Sequence, residues 1–460
     1  MRRYWVLWMV FIVGAVVLSA QENEPARFYD FGDAEAGYAV ATLHSGGFLI
    51  GGAHTLSTFL GKILLIRTDA QGDTLWTYRS DSAGWVRAVV ATADGFLCAG
   101  SIGMPGDFFV WKCDAAGNRI WSYRDGSPLV DQVVDIQQTS DGGFVILGSW
   151  EQVGPGNSKF FLLTLDSAGA QKKFQVYDQP GGVPTAFAQT PDSGYVVVGT
   201  RDNGAFVAKI DKEGTLEWHR TFGAVMPDEF NDVAVTSNGD IWIVGTAVTF
   251  GRNGIPDMWV MRLNAQGDSL WSHVYGTPTN LDGASAMTPI TNGSFWVAGW
   301  TFSVFTGYDA ALWKIAVDGT LLDSLLLNPG DGNDRALAVA RTAQGVVATG
   351  EAESGVGVRR DVFLWPLGGG PTSVAETVIE DPFSLRLSGR WLTVGSNQMG
   401  GSTLHLGIYT LTGAAVAHYQ WHLPAAGWKR SVDLHWLPSG VYVLRWQWKG
   451  QSGARLLLLE

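Results

Sequence analysis

Short apolar runs follow one another along most of this chain, and polar turns separate them. Turn-forming Gly, Asn and Asp residues recur about every 8–12 residues. Typical runs are Phe96–Gly100, Phe108–Cys113 and Met258–Leu263. No stretch of the region from residue 26 to residue 367 has helical periodicity. The pattern therefore predicts an all-β fold.

One spacing recurs seven times in this region. An aromatic or apolar residue follows a turn, and a Gly stands four residues later. The seven glycines, 48, 48, 51, 46, 54 and 51 residues apart, are Gly52, Gly100, Gly148, Gly199, Gly245, Gly299 and Gly350. Repeats of about 50 residues with four short strands each are typical of β-propellers.

A second marker has the form Asp-x-x-Gly-x-x-x-Trp. Segments of this form begin at Asp69, Asp114 and Asp211 and end in Trp. In another repeat, Asn264 takes the place of the Asp. We interpret these acidic residues, with Asp166, as turn formers that accept hydrogen bonds from backbone amides. We extend the same interpretation to the acids seven residues upstream, which are Asp107, Asp257, Asp309 and Asp361.

The number of strands suggests how the repeats close. The seventh repeat ends near Leu367 after three strands, without a Trp-headed fourth. The segment Ala26–Gly32 resembles fourth strands such as Trp218–Gly223. We predict a seven-bladed β-propeller over residues 21–370, closed by the N-terminal strand, because closure removes open sheet edges. An open array of six and a half blades is the alternative.

The repeat resembles that of secreted bacterial propellers with Asp-Gly-Gly-aromatic turns, over residues 26–367. It is more weakly similar to the quinoprotein tryptophan repeat, whose spacing is one residue longer between Asp and Gly. We expect no cofactor.

The first twenty residues predict export. Met1-Arg2-Arg3 is basic, Trp5–Leu18 is apolar, and Ser19-Ala20 offers a cleavage site, which is the form of a signal peptide. An uncleaved anchor is the alternative, but about 14 apolar residues fall short of a span of about 20. We expect no transmembrane segment in the mature chain.

Export makes a disulfide between Cys98 and Cys113 conceivable. Two buried free thiols are the favoured alternative, because the predicted strand register does not place the two residues opposite each other.

Residues 371–460 lack the repeat and predict a small Ig-like β-sandwich. The runs Leu406–Gly413, Leu437–Arg445 and Arg455–Glu460 resemble the type A sorting domain of the type IX secretion system. The resemblance implies the type IX machinery as partner and export through Sec from a Gram-negative cell. The protein would then be secreted or attached to the outer cell surface. A plain Ig-like module is the alternative.

Loops of varied length on one face of the predicted propeller hold the candidate binding residues. Aromatic rings stack on sugars or apolar groups, and arginines bind carboxylates. The candidates are Trp150, Arg201, Arg252, Trp300, Phe302, Tyr308 and Arg359. The net charge of -12 excludes non-specific nucleic-acid binding.

Catalytic motifs are missing from the sequence. It has no nucleophile elbow and no Walker loop. It also has no zinc cysteine pair, and the spaced histidines His418 and His422 lie in a strand-like context, so we expect no metal site. We predict a module that binds a glycan or a protein. A secreted polysaccharide hydrolase or lyase is the alternative, and a spacer at the cell surface is a further one.

Overall fold

The structure is a computed structural model, and the chain divides into two compact units, residues 23–369 and a unit that contains residues 370–460. The residues described are 26–54, 61–103, 106–127, 131–139, 141–151, 158–223, 227–249, 255–276, 280–290, 293–303, 307–327, 333–343, 345–353, 360–367, 384–388, 391–396, 403–410, 415–422, 428–434, 437, 440–448 and 451–459. The predicted signal peptide at residues 1–20 lies outside them.

The larger unit is built of β-strands. In chain order they are β1 (Arg27–Tyr29), β2 (Ala36–Thr42), β3 (Phe48–His54), β4 (Lys62–Thr68), β5 (Thr74–Thr92), β6 (Gly95–Ile102), β7 (Asp107–Asp114), β8 (Arg119–Asp125), β9 (Gln132–Gln138), β10 (Phe144–Glu151), β11 (Ser158–Leu165), β12 (Gln171–Tyr177), β13 (Val183–Gln189), β14 (Tyr195–Arg201), β15 (Gly204–Ile210), β16 (Leu216–Gly223), β17 (Glu229–Val235), β18 (Ile241–Ala247), β19 (Asp257–Leu263), β20 (Ser269–Tyr275), β21 (Leu281–Pro289), β22 (Phe295–Ser303), β23 (Gly307–Ile315), β24 (Leu321–Leu327), β25 (Arg335–Arg341), β26 (Val346–Glu353) and β27 (Arg360–Leu367).

The strands form consecutive antiparallel sheets. Four-stranded sheets have the orders β9–β12, β13–β16, β17–β20 and β21–β24, and a further one has the order β1-β27-β26-β25. Strands β2 to β8 form a seven-stranded sheet, because β5 runs without a break from the first repeat into the second, where four separate strands per repeat were predicted. Successive four-stranded antiparallel sheets are typical of a propeller-like fold, so the predicted all-β class is confirmed.

The repeat glycines are explained by close backbone approach. A Cβ built on Gly52, Gly245 or Gly350 would collide with a carbonyl oxygen of the first strand in the same sheet. At Gly148 it would also collide with the ring of Phe161. The repeated Gly is therefore needed because no side chain fits between second and first strands.

The Asp-x-x-Gly segments are turns, as predicted. The Asp114 carboxylate accepts hydrogen bonds from the backbone N–H groups of Ala116 (2.9 Å) and Asn118 (2.8 Å). Gly117 has a φ of 88°, which favours glycine. Trp76 of the preceding repeat packs against this glycine. The marker thus joins successive repeats.

The upstream acids were interpreted wrongly as turn formers. Asp257, Asp309 and Asp361 are buried within or at the start of third strands, where neighbouring sheets meet. Asp107 starts β7 and pairs with Arg124 at 2.7 Å. Their position is set by the next repeat, whose first strand begins against the start of these strands, and not by a turn.

Both cysteines are buried free thiols. In the register of β6 and β7, Cys98 lies opposite Trp111, and Cys113 lies opposite Phe96. Burial raises the pKa of Cys113 to about 11, so the thiol stays protonated at neutral pH.

The second unit has seven described strands in two antiparallel sheets. They are β28 (Ser384–Ser388), β29 (Trp391–Ser396), β30 (Thr403–Thr410), β31 (Ala415–His422), β32 (Trp428–Asp433), β33 (Gly440–Trp448) and β34 (Gln451–Leu459). The sheet orders are β28-β29-β32 and β31-β30-β33-β34. Leu392 and Val432 of the first sheet and Leu406 of the second share one apolar core. Within the described parts of the chain, no helix has the length and hydrophobicity to cross a membrane.

Candidate functional site

One cavity of the larger unit is lined by the first strand of all seven repeats. Its volume is about 530 Å³. The strands that contribute are β2, β5, β9, β13, β17, β21 and β25. We call it the central cavity. A cavity shared by every repeat is the position where ligands of repeat rings are best surrounded by protein.

Each of these first strands has a β-bulge at the same register. The extra residue lies between two paired residues of the first strand. One of them pairs with the repeat glycine, and the other pairs with the residue just before that glycine. The seven bulge residues, all of which line the central cavity, are Tyr38, Arg87, Val134, Thr185, Asn231, Ser285 and Leu337. Bulges redirect side chains, and here they present a varied ring of groups to one space.

The residue after each bulge forms a second, more uniform ring. Five repeats place alanine there, namely Ala39, Ala88, Ala186, Ala286 and Ala338. The other two repeats place Asp135 and Asp232. Two carboxyl groups at positions otherwise occupied by alanine are the clearest departure from the repeat in this cavity.

Both carboxyl groups have unusual acidity. Burial raises the pKa of Asp135 to about 7, and it raises that of Asp232 to about 7 as well. The charge of Asp135 raises the Asp232 value further, so the two groups lie within electrostatic range. Hydrogen bonds oppose the shift, because Asp232 accepts from Val233 N–H and from Met287 N–H, each at 2.7 Å.

These polar groups tie neighbouring first strands together. Asp232 of β17 bonds to β21 through Met287, and the Asn231 amide donates to the carbonyl of Ala284 at 2.8 Å. The Thr185 hydroxyl donates to the carbonyl of Phe230 at 2.6 Å. The Gln137 side-chain amide of β9 donates to the carbonyl of Phe187 in β13 at 2.6 Å. We call strands β9, β13, β17 and β21 the tied arc.

The opposite part of the cavity wall is formed by β25, β2 and β5, which we call the open arc. Here the Arg87 guanidinium stacks over the Tyr38 ring at 5.1 Å. Burial lowers the pKa of Arg87 and raises that of Tyr38. No salt bridge to Arg87 is formed within the described ranges. Arg87 nevertheless keeps access to solvent, so its charge faces the open cavity. An accessible cation with no carboxylate partner among the described residues suits an anionic ligand.

The open arc continues into an ion-pair cluster at the sheet β25–β27. Glu351 is 9% exposed and binds Arg360 at 2.9 Å, with Arg335 at 4.0 Å. The charges of Glu351 and Arg360 act on the Tyr38 hydroxyl, so this cluster lies near the cavity ring. Further carboxylates surround the two arginines, because the charges of Asp309, Glu351 and Glu353 all act on Asp334.

Three of the predicted binding residues come together beside this cluster. The Tyr308 ring lies 5.2 Å from that of Trp300 and 4.7 Å from that of Phe302. Arg335 covers Tyr308 at 3.9 Å and Trp300 at 5.9 Å. All four side chains are partly exposed. The aromatic cluster thus adjoins an arginine of the open arc.

The other predicted residues lie elsewhere. Trp150 packs edge-on against Phe161 and Phe174 in a separate apolar core. Arg201 donates to the carbonyl of Pro180 and lies 3.6 Å from Asp202. Arg252 and Arg359 lie outside the described residues.

Sequence reasoning missed Tyr38, Arg87, Asp135, Asp232 and Arg335. A signal for the two acids was present, because each stands thirteen residues before its repeat glycine, where Ala39, Ala186 and Ala286 stand in other repeats. The departure of Asp from a repeated Ala marks the cavity. Arg87 gave no such signal, because bulge residues vary from repeat to repeat.

No protein-family model matches the chain, and no curated protein matches it. Among solved structures, polysaccharide lyase Uly1 is similar at 10% identity and a TM-score of 0.50, covering 78% of this chain and 95% of that one. A puromycin hydrolase mutant is similar at 12% identity and a TM-score of 0.49, covering 80% of this chain. The WD40 domain of SCAP from fission yeast is similar at 10% identity and a TM-score of 0.36, covering 95% of this chain and 90% of that one.

The chain spans 59% of the length of puromycin hydrolase. At these identities the similarities show a propeller-like fold and nothing of activity.

Proposed function

We propose that the larger unit is a seven-bladed propeller, closed by its N-terminal strand, that binds an anionic glycan at the open arc of its central cavity. The blade count is supported by the first strands of seven repeats that line one cavity. Closure is supported by β1, which pairs with β27 from Arg27↔Leu364 to Tyr29↔Val362.

A repeated contact also supports the closure. The Tyr29 hydroxyl donates to the carbonyl of Gly72 at 2.7 Å. Tyr177, in a fourth strand, makes the same bond to Gly214 at 3.0 Å. The β1 strand therefore stands where a fourth strand of the preceding blade is expected.

Binding at the open arc rests on Arg87. Its guanidinium lies in a cavity wall, stacked on Tyr38, without an ion pair to the described carboxylates. A ligand carboxylate would supply the missing charge in a setting where charge-assisted hydrogen bonds are strong. The nearby rings of Trp300 and Tyr308 offer faces for a sugar. These features together favour a uronate-containing saccharide.

The direct test is a glycan array probed with the purified protein and with Arg87→Ala. We expect binding that is confined to carboxylated glycans and lost in the variant. Arg220→Ala is a matched control, because Arg220 also stacks on a ring, that of Trp218 at 5.3 Å, but on a fourth strand away from the cavity. Binding of neutral glycans, or equal losses in both variants, would contradict the proposal.

A second candidate function is hydrolysis or cleavage of a polysaccharide. Asp135 and Asp232 favour it, because two carboxyl groups with pKa values near 7 in one cavity suit general acid–base work. Their hydrogen bonds to neighbouring strands favour the structural role. Product release from an acidic polysaccharide that disappears in both Asp→Asn variants would make catalysis the primary function.

Delivery by type IX secretion is the third part of the proposal. The motifs that resemble the sorting domain fall largely on β30, β33 and β34, which neighbour one another in one sheet. The Ig-like topology and the surface location belong to this proposal. Deleting residues 371–460 should leave the larger unit inside a cell that has the machinery, as fractionation would show.

A further inference from the structure

The chain ends of the larger unit meet at a group of three acids. Asp30 follows β1, Glu35 precedes β2, and Asp361 lies at the start of β27. One oxygen from each carboxylate lies within 4.8 Å of the others. Over the residues that the structure describes, this is the one group of three or more acids, histidines or cysteines with that geometry.

Glu35 provides a second, independent observation. The residue is fully buried at 0% exposure, and its Oε2 atom has no hydrogen-bond partner. Its Oε1 accepts from Asp33 N–H at 3.2 Å, and its own N–H donates to the carbonyl of Arg360 at 2.6 Å. The side chain is therefore held in place, and one of its oxygens accepts no hydrogen bond and lies near two further carboxylates. A buried unpaired oxygen of this kind costs free energy unless something binds it.

Positive side chains do not supply that partner. Within the described ranges, no lysine or arginine forms a salt bridge to Asp30 or Glu35. Burial, opposed by the Asp33 amide and reinforced by the charges of Asp361 and Asp30, raises the pKa of Glu35 to about 7. The two neighbouring carboxylates therefore disfavour the charged form of Glu35.

We propose that Asp30, Glu35 and Asp361 bind a calcium ion that links the N-terminal strand to the last strand of the larger unit. The donors are all oxygen, which excludes the soft metals that prefer His and Cys. Calcium binds oxygens at about 2.3–2.6 Å, so two ligands on opposite sides of one ion stand up to about 5 Å apart. Magnesium, at about 2.1 Å, would need a tighter group.

The equivalent junctions show what is special here. Asp282, at the start of the first strand β21, occupies the position of Glu35, and its N–H donates to the carbonyl of Pro256 at 2.9 Å. Asp282 and Asp257 both lie beside Gly276. Gly276 follows β20 as Asp30 follows β1, so this junction has glycine in place of the third acid. The repeat therefore places two acids at such a junction, and the loop after β1 adds the third.

The test is calorimetric titration of the metal-stripped protein with calcium chloride, together with thermal unfolding in calcium and in chelator. We expect one strong site per chain, with a dissociation constant in the range of about 10 µM to 1 mM, and a higher melting temperature in calcium. Glu35→Gln keeps the shape of the side chain and should weaken binding at least tenfold, with loss of the melting shift.

Asp282→Asn is the matched control, because it removes one acid from a junction of two. It should leave calcium binding unchanged. Asp30→Asn, at an exposed position, provides a second test if Glu35→Gln does not fold. No calcium binding by the wild type, binding that survives both Glu35→Gln and Asp30→Asn, or stronger binding of magnesium than calcium would overturn the proposal.

Discussion

The two arcs of the central cavity use the same backbone device for different purposes. In both, a bulge in the first strand turns one side chain toward the cavity. In the tied arc the bulge residues Thr185 and Asn231 are short and bond to the next strand. In the open arc Tyr38 and Arg87 are long and stack on each other. The polar groups of the tied arc thus hold neighbouring strands together, whereas Arg87 of the open arc forms no ion pair with the described residues.

The largest effect is expected from Arg87→Ala in the open arc. A hydrogen bond to a charged group contributes about 1.5–3 kcal/mol, so affinity for a carboxylated saccharide should fall roughly tenfold to 100-fold. Arg220→Ala should leave affinity unchanged. Titration calorimetry at constant salt measures both. An intact affinity in Arg87→Ala would remove the distinction between the arcs.

The second-largest expected effect is a dependence of stability on pH, which comes from Asp232 of the tied arc. The ordinary pKa of Asp is 3.8 and that of folded Asp232 is about 7. The unfolded chain therefore loses this proton between about pH 4 and 7 while the folded chain keeps it, so stability falls as pH rises through that window.

In Asp232→Asn the fall should shrink by roughly a quarter, since Asp135, Asp334 and Glu35, whose pKa values are also raised to about 7, contribute similar shares. Denaturant unfolding at pH 4 and at pH 7 measures it. An unchanged slope would mean that Asp232 is ionised in the folded protein.

A smaller effect is expected when one tie is removed. Asn231→Ala leaves the carbonyl of Ala284 without its 2.8 Å donor, which should lower the free energy of unfolding by about 1–2 kcal/mol. Affinity for the saccharide should not change, because Asn231 belongs to the tied arc. Chemical denaturation and the same titration separate the two results. A loss of affinity without a loss of stability would place the ligand in the tied arc.

The smallest effect is expected at the aromatic cluster. Tyr308→Leu keeps an apolar side chain but removes the ring under Arg335, an interaction worth about 0.5–1 kcal/mol at an exposed site. Affinity should fall about twofold to fivefold. Trp150→Leu, in its separate core, should change stability and leave affinity unchanged. The reverse pattern would move the binding surface to the sheet of Trp150.

The fold was largely predictable from sequence, and the site was only partly so. The repeat glycine and the Asp-x-x-Gly turn are local requirements of backbone geometry, so they recur wherever the geometry recurs, as at Gly117 and Asp114. Trp300, Phe302 and Tyr308 were predictable because adjacent strands carry them. Arg87 was not, since its role depends on Tyr38, a residue of another sheet segment far away in sequence.

The continuous strand β5 shows a further limit. Its polar centre, Ser80–Ser82, falls in a register shift, and the chain on either side of it pairs with β4 up to Ala83 and with β6 from Gly84 onward. Pairing partners at both ends override the local turn preference of a polar segment.

The central claim is that the open arc recognises negative charge. Its most direct test is calorimetric titration of the wild-type protein with one uronate oligosaccharide before and after chemical reduction of its carboxyl groups. The account predicts saturable binding of the acidic form and a loss of roughly tenfold to 100-fold on reduction, because Arg87 would lose its partner. Equal affinity for the two forms would contradict the claim.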